Sequence, residues 1–248
     1  MHTSPAAVPQ DANAHTNDHA HDNPALLHHF ATEGQQKNAA SLGMWLFLAQ
    51  EVMFFGGMFC AYLVYRFKYF GDFGSASQQL DIRLGAINTA VLICSSLTVV
   101  LAVRAAQLGK RMALVGWLLL TIVLGLAFLG IKADEYAEKF EKHHVPGASF
   151  SYHELLPGQE KFPPADRQYA NPHHAEMYFS LYFALTGMHA LHMIIGVGLF
   201  SFLAFMAWRG KYGPGYFTPV ENAGLYWHFV DIVWIYLFPL LYLIDRHR

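Results

Sequence analysis

The chain has 248 residues, 54% of them apolar and 14% charged, with 16 basic against 18 acidic side chains and a formal net charge of −2 with histidines neutral. A soluble domain carries about 25% charged residues, so a soluble enzyme and a secreted disulfide scaffold are excluded as first readings, and no polybasic surface argues for a nucleic-acid partner. The charges are also unevenly placed: windows 42–65, 84–103, 112–131, 177–208 and 222–244 contain no Asp, Glu, Lys or Arg other than Glu51 and Asp231.

Apolar runs of that length read as membrane spans. The expected fold is all-α, a polytopic membrane bundle of five transmembrane helices in one domain, 39–248, preceded by a tail, 1–38. The tail is rich in Ala, Asn, His, Pro and Asp and lacks the basic and apolar regions of a signal peptide. It reads as disordered, and its histidines, His2, His15, His19, His21, His28 and His29, are a compositional feature before they are a metal site.

The first span begins after Ser41, a candidate N-cap, and closes at Tyr65-Arg66. The second ends before Arg104 and the third begins after Lys110-Arg111. Residues 132–176 hold Pro146, Pro157, Pro163, Pro164 and Pro172 among many charges, so an irregular extramembrane excursion is expected, with room for a helical turn at ADEYAEKFEK. The fourth span is long enough to tilt or to project from the bilayer. The fifth carries Pro239 near its end, where a kink costs least. Cys60 and Cys94 lie inside apolar windows and read as small packing residues rather than as a disulfide or a metal pair.

Basic residues near the span ends set the orientation. Arg104, Lys110 and Arg111 in one loop and Arg209 and Lys211 in another have no acidic neighbours, whereas Arg66, Lys68 and Arg83 are balanced by Asp72 and Asp81. The positive-inside rule then puts the N-terminus in the cytoplasm and the C-terminus outside.

Ionisable residues at bundle depth must be paired, neutralised or turned to water. They are Glu51 in the first span, His189 and His192 at i, i+3 in the fourth, and His228 and Asp231 at i, i+3 in the fifth. Leaving Glu51 ionised and alone costs about 2.5–3.5 kcal/mol, so its partner is expected to be a histidine or a backbone carbonyl of another span. A di-metal carboxylate site needs two Glu-x-x-His motifs on different helices; the chain has one, Glu141 to His144, outside the spans. A bis-histidine haem needs matched depth, and at about 1.5 Å per residue His228 lies about 10 Å from the level of His192. Polar glue between helices is the simpler reading. Gly57 with Ala61, and Gly187, Ala190, Gly196 and Gly198, supply faces for close helix approach.

The run Tyr226-Trp227-His228-Phe229-Val230-Asp231-Ile232-Val233-Trp234 resembles the closing-helix signature of cytochrome c oxidase subunit III. GMWLFLAQEVMFF around Glu51, INTAVLICSS around Asn88, KADEY around Glu135 and ALTGMHALHMIIG around His189 and His192 resemble the same family, in the family's order. With Glu221 before the last span, the resemblance covers residues 40–245. It implies a non-catalytic membrane subunit of a proton-pumping haem–copper oxidase in a bacterial plasma membrane. Such a subunit carries no haem or copper, those groups residing in its partners. It packs on catalytic subunit I in a complex with subunit II, protects subunit I from inactivation, supports proton uptake and holds phospholipid in a cleft that favours O2 entry.

Residue by residue, Glu51 matches the family's intramembrane carboxylate. Glu135, His189, His192, Glu221, His228 and Asp231 match its polar framework, and Trp227 and Trp234 its signature aromatics. The family's longer form has seven spans, and this chain starts at what would be the third. The wall of the lipid cleft is then absent, and a small membrane subunit IV is the expected neighbour in its place. The long excursion, acidic and aromatic, is a candidate contact for another subunit or an electron-donor module. Two rivals stand beside this reading: subunit III of a quinol oxidase and, in another class, a stand-alone membrane cytochrome or proton-relay transporter.

Overall fold

The computed structural model describes residues 32–147 and 150–244. They form six helices: α1 Glu33–Lys68, α2 Phe70–Gln78, α3 Ile82–Gln107, α4 Arg111–Glu141, α5 Pro172–Trp208 and α6 Thr218–Tyr242. All but α2 are long and apolar enough to cross a bilayer. The shortest of the five, with 25 residues, extends about 37 Å at about 1.5 Å per residue, against a hydrocarbon core of about 30 Å.

The chain divides into two units, 1–43 and 44–248. In the first, α1 starts at Glu33, earlier than the Ser41 cap expected from the sequence. The stretch Gln35 to Ala40 is built largely of good helix formers, and the Thr32 hydroxyl accepts from the Gln35 amide at 3.2 Å, capping the helix there. The rest of the expected tail, residues 1–31 with its histidines, lies outside the described residues.

In the second unit α3, α4, α5 and α6 close a ring, α3 against α4 and α6, and α5 against the same two. The short α2, between the first two spans, packs on α5 and α6. From Met44 onward α1 meets the ring and α2 through long side chains: Phe55 against Phe229, Tyr62 against Tyr178 and against Phe73 of α2, and Phe47 against Tyr226. Helix starts follow local chemistry, with Asp81 accepting from the Arg83 amide and Asn171 from that of His173 ahead of Pro172 at the first position of α5. Gly109 and Gly210, at φ 68° and 80°, end α3 and α5 in the left-handed conformation that suits glycine.

Part of the expected excursion, 132–176, is helical. Helix α4 continues to Glu141 because its buried stripe, Leu114, Leu118, Thr121, Gly125, Phe128, Lys132, Glu135 and Lys139, continues past the apolar window at the spacing of one helix face. The irregular part is 142–171, with two 3-10 turns at Gln159–Lys161 and Pro164–Asp166.

Close approach is concentrated at Trp227. A Cβ on Gly196 would lie 2.7 Å from its ring and one on Gly125 2.9 Å, so two glycines on different helices admit one indole. Gly57, by contrast, faces open space and contributes no contact within this chain. Cys60 and Cys94 are free thiols on faces turned away from the bundle. At the C-terminal end of α6, after Pro239, the orphan carbonyls are met from other helices: Tyr62 donates to Leu240 O, and Ser77 and Tyr178 to Leu241 O, at 2.8–2.9 Å.

Candidate functional site: polar ties between the helices

The largest polar cluster among the described residues is built on Glu135, which the family resemblance points to, and on Lys132. Glu135, 1% exposed, accepts from Lys132 Nζ at 3.0 Å, from Tyr182 at 2.7 Å and from Tyr242 at 2.6 Å. Lys132, 3% exposed, spends its other two protons on the same two phenol oxygens, at 3.2 and 2.8 Å. Its ammonium also lies 5.2 Å from the Trp234 ring. Alongside, Thr186 donates to Tyr182 O, so Tyr136 donates to the Thr186 hydroxyl at 2.6 Å. Every Lys132 proton and three of the four carboxylate lone pairs of Glu135 are used, and three helices are joined.

One turn further along α4, the fully buried Lys139 donates to Gln79 O at the C-terminal end of α2. Neither lysine was singled out from the sequence. Their signal was spacing: Lys132 and Lys139 extend the apolar stripe of α4 and flank Glu135 on the same face.

Glu51 does find a histidine on another span: its Oε2 lies 3.1 Å from His192 Nε2. His192 Nδ1 donates to Met188 O at 2.8 Å, and the His192 carbonyl accepts from Tyr226. With Nδ1–H committed, Nε2 either accepts from a protonated Glu51 or carries a second proton beside a carboxylate; both forms hold the same number of protons and no net charge. The pair joins α1 to α5.

The other framework residues separate. His228 Nδ1 lies 2.7 Å from Ser96 Oγ, tying α6 to α3. Asp231 is 3% exposed, and its carboxyl oxygens have no hydrogen-bond partner among the described residues. His189 points away from His192, between the rings of Phe128 and Trp234. Trp227 and Trp234 donate their ring N–H groups to Ser95 and Thr89 of α3. Glu221 is exposed at a groove between α3 and α6 that Arg104, Gln107 and His228 also line.

Outside the spans, Asp72 of α2 accepts from His174 Nδ1 at 2.6 Å and from the Asn171 amide, and Tyr69 stacks on His174. Ser75 links Tyr152 to the Leu155 carbonyl. His144 lies between Tyr152 and Phe179, and burial pushes it down to about 4, with the Lys139 and Lys142 charges adding to the effect. Among the described residues no group of three or more His, Cys, Asp or Glu side chains is placed to hold a metal ion. Among the described residues the arrangement joins helices.

Comparison with known proteins shows the family of the chain. The family model for cytochrome c oxidase subunit III matches residues 27–150 and 171–245. A probable cytochrome c oxidase subunit 3 of Nocardia farcinica is 32% identical over 207 residues, covering 84% of this chain and 89% of the relative. Cytochrome c oxidase subunit 3 of Bacillus subtilis is 31% identical over 225 residues, 89% of this chain and 92% of the relative. A haem–copper oxidase subunit I+III of Aeropyrum pernix is 29% identical over 214 residues, 84% of this chain and 23% of that protein. The chain is a multi-pass membrane protein, a non-catalytic subunit that works in complex with other oxidase subunits, and it belongs to the cytochrome c oxidase subunit III family.

Proposed function

We propose that the chain braces catalytic subunit I of a bacterial plasma-membrane cytochrome c oxidase, beside subunit II, and sustains O2 reduction and proton uptake there without carrying haem or copper. The observation that carries the reading is the relative named subunit I+III, in which a segment similar to this chain shares one polypeptide with a subunit I. The spending of Lys132, Glu135, Glu51 and His192 on bonds between helices supports a rigid brace. Trp45, Leu46, Met53 and Phe67 leave an apolar face of α1 open, and a small membrane subunit IV is the neighbour we assign to it.

Phospholipid is the ligand we assign to the α3–α6 groove of about 440 Å³. Its wall is Val100, Val103, Gly224 and Leu225, which suits an acyl chain, and Arg104 at its polar end makes no ion pair among the described residues, which suits a head-group phosphate. The basic turns at Arg104 to Arg111 and Arg209 to Lys211 are assigned to the cytoplasm with the N-terminus, the C-terminus lying outside.

Mass identification of the proteins and lipids that co-purify in mild detergent tests the proposal. Subunits I and II, a small membrane protein and phospholipid are expected. A haem absorption that follows the isolated polypeptide would make it a cytochrome in its own right, and a quinol-type subunit II would move it to the quinol branch.

A further inference from the structure

We propose that one layer of the four-helix ring, formed by Asn88, Phe128, His189 and Trp234, is a binding site for internal water. Two contacts set the level. Trp234 donates its ring N–H to Thr89, the neighbour of Asn88, at 3.1 Å, which puts Asn88 of α3 level with Trp234 of α6. The His189 ring of α5 lies 5.2 Å from Trp234 and 5.4 Å from Phe128, and Phe128 of α4 lies 4.8 Å from Trp234 edge-on. Each helix of the ring therefore contributes one side chain to this layer.

All four side chains are at most 1% exposed. Trp234 is satisfied by Thr89 and Phe128 has no polar atom, but Asn88 Nδ2 and Oδ1 and His189 Nδ1 and Nε2 have no hydrogen-bond partner among the described residues. Native interiors rarely leave such atoms bare, because each retains the cost of leaving water with nothing in return. Buried waters make about three hydrogen bonds, typically to polar groups that lack protein partners. Asn88 offers two donors and an amide oxygen, and a neutral His189 one donor and one acceptor, so both roles of a water molecule are met from opposite helices of the ring. Lys132, one turn beyond Phe128 with its ammonium 5.2 Å from the Trp234 ring, makes the layer unfavourable for a cation. The ligand class is thus neutral water, held in place and shut off from bulk solvent by the rings of Phe128 and Trp234.

A density map of the intact oxidase, at a resolution that shows internal water, decides the matter. We expect at least one peak within hydrogen-bonding distance of both the Asn88 amide and the His189 ring. An empty layer, or side chains rotated so that Asn88 bonds His189 directly, would overturn the proposal. Asn88→Leu gives a second readout through the temperature at which the subunit leaves the complex. A hydrated layer predicts a downward shift, since the water and His189 lose a partner; a dry layer predicts an upward shift, since two orphaned atoms disappear. If the variant fails to assemble, the wild-type map alone gives the answer.

Discussion

The Lys132–Glu135 cluster and the Glu51–His192 pair are both acid–base contacts inside an apolar bundle, yet they are built differently. The first is sealed, with lysine and glutamate at 3% and 1% exposure and two tyrosines bridging both charges. The second lies where α1 meets the ring through side chains, and its single direct bond of 3.1 Å is longer than those from the phenols to Glu135. A charge can be held at depth when its hydrogen-bonding capacity is exhausted by neighbours. A pair that can move its proton internally needs fewer neighbours, because one of its two forms is uncharged. The first cluster therefore governs stability, and the second contributes an attachment with little at stake in its charge.

Breaking one partner of the sealed cluster should have the largest effect. Lys132→Met leaves Glu135 buried without its cation and should cost about 3–5 kcal/mol, whereas Lys132→Met with Glu135→Leu should recover part of it, because a buried pair replaced by apolar groups is often tolerated. The temperature at which the subunit is released from the purified complex reads both. If the single variant were as stable as the double one, the cluster would not be the coupled unit described. Tyr242→Phe removes one donor to the carboxylate and should cost about 1.5–3 kcal/mol in the same assay.

Gly196→Ala presses a methyl group against Trp227 and should cost about 1–3 kcal/mol. Gly57→Ala, which meets nothing, serves as its control within this chain. A smaller effect belongs to pH. Unfolded, His144 takes up a proton near pH 6.5; folded, it does so only near pH 4. Between these values the unfolded chain binds more protons, so this contribution is full above the window and is lost as pH falls through it. Scanning the release temperature across the window should show the decline, and His144→Phe, which keeps the stack between Tyr152 and Phe179, should flatten it.

The same two regions show what the sequence made legible. The five spans and Glu51 stood out because apolar windows are long and a lone acid within one is conspicuous, and a partner on another span, a histidine or a backbone carbonyl, followed from the cost of leaving that acid alone. Lys132 and Lys139 were hidden by their own charge: a rise in polarity at residue 132 looked like the end of a span, although the spacing of 128, 132, 135 and 139 continued one buried face. The tyrosines that make those charges tolerable are scattered over α5 and α6, and only tertiary packing brings them together. Pairing by spacing misled in the other direction. His189 and His192 share an i, i+3 relation, but one faces the ring interior and the other faces α1.

The central claim is that these polar groups hold helices together and that none of them carries the oxidase's chemistry. Glu51→Gln tests it most directly, since it keeps the shape and a hydrogen bond to His192 and removes the titratable proton. Oxygen consumption and proton release should be measured on the purified complex with subunit content verified. The account predicts full assembly, near-normal oxygen consumption and unchanged proton release. A fully assembled complex that consumes oxygen but no longer pumps protons would contradict it and make Glu51 a proton store for the catalytic subunit.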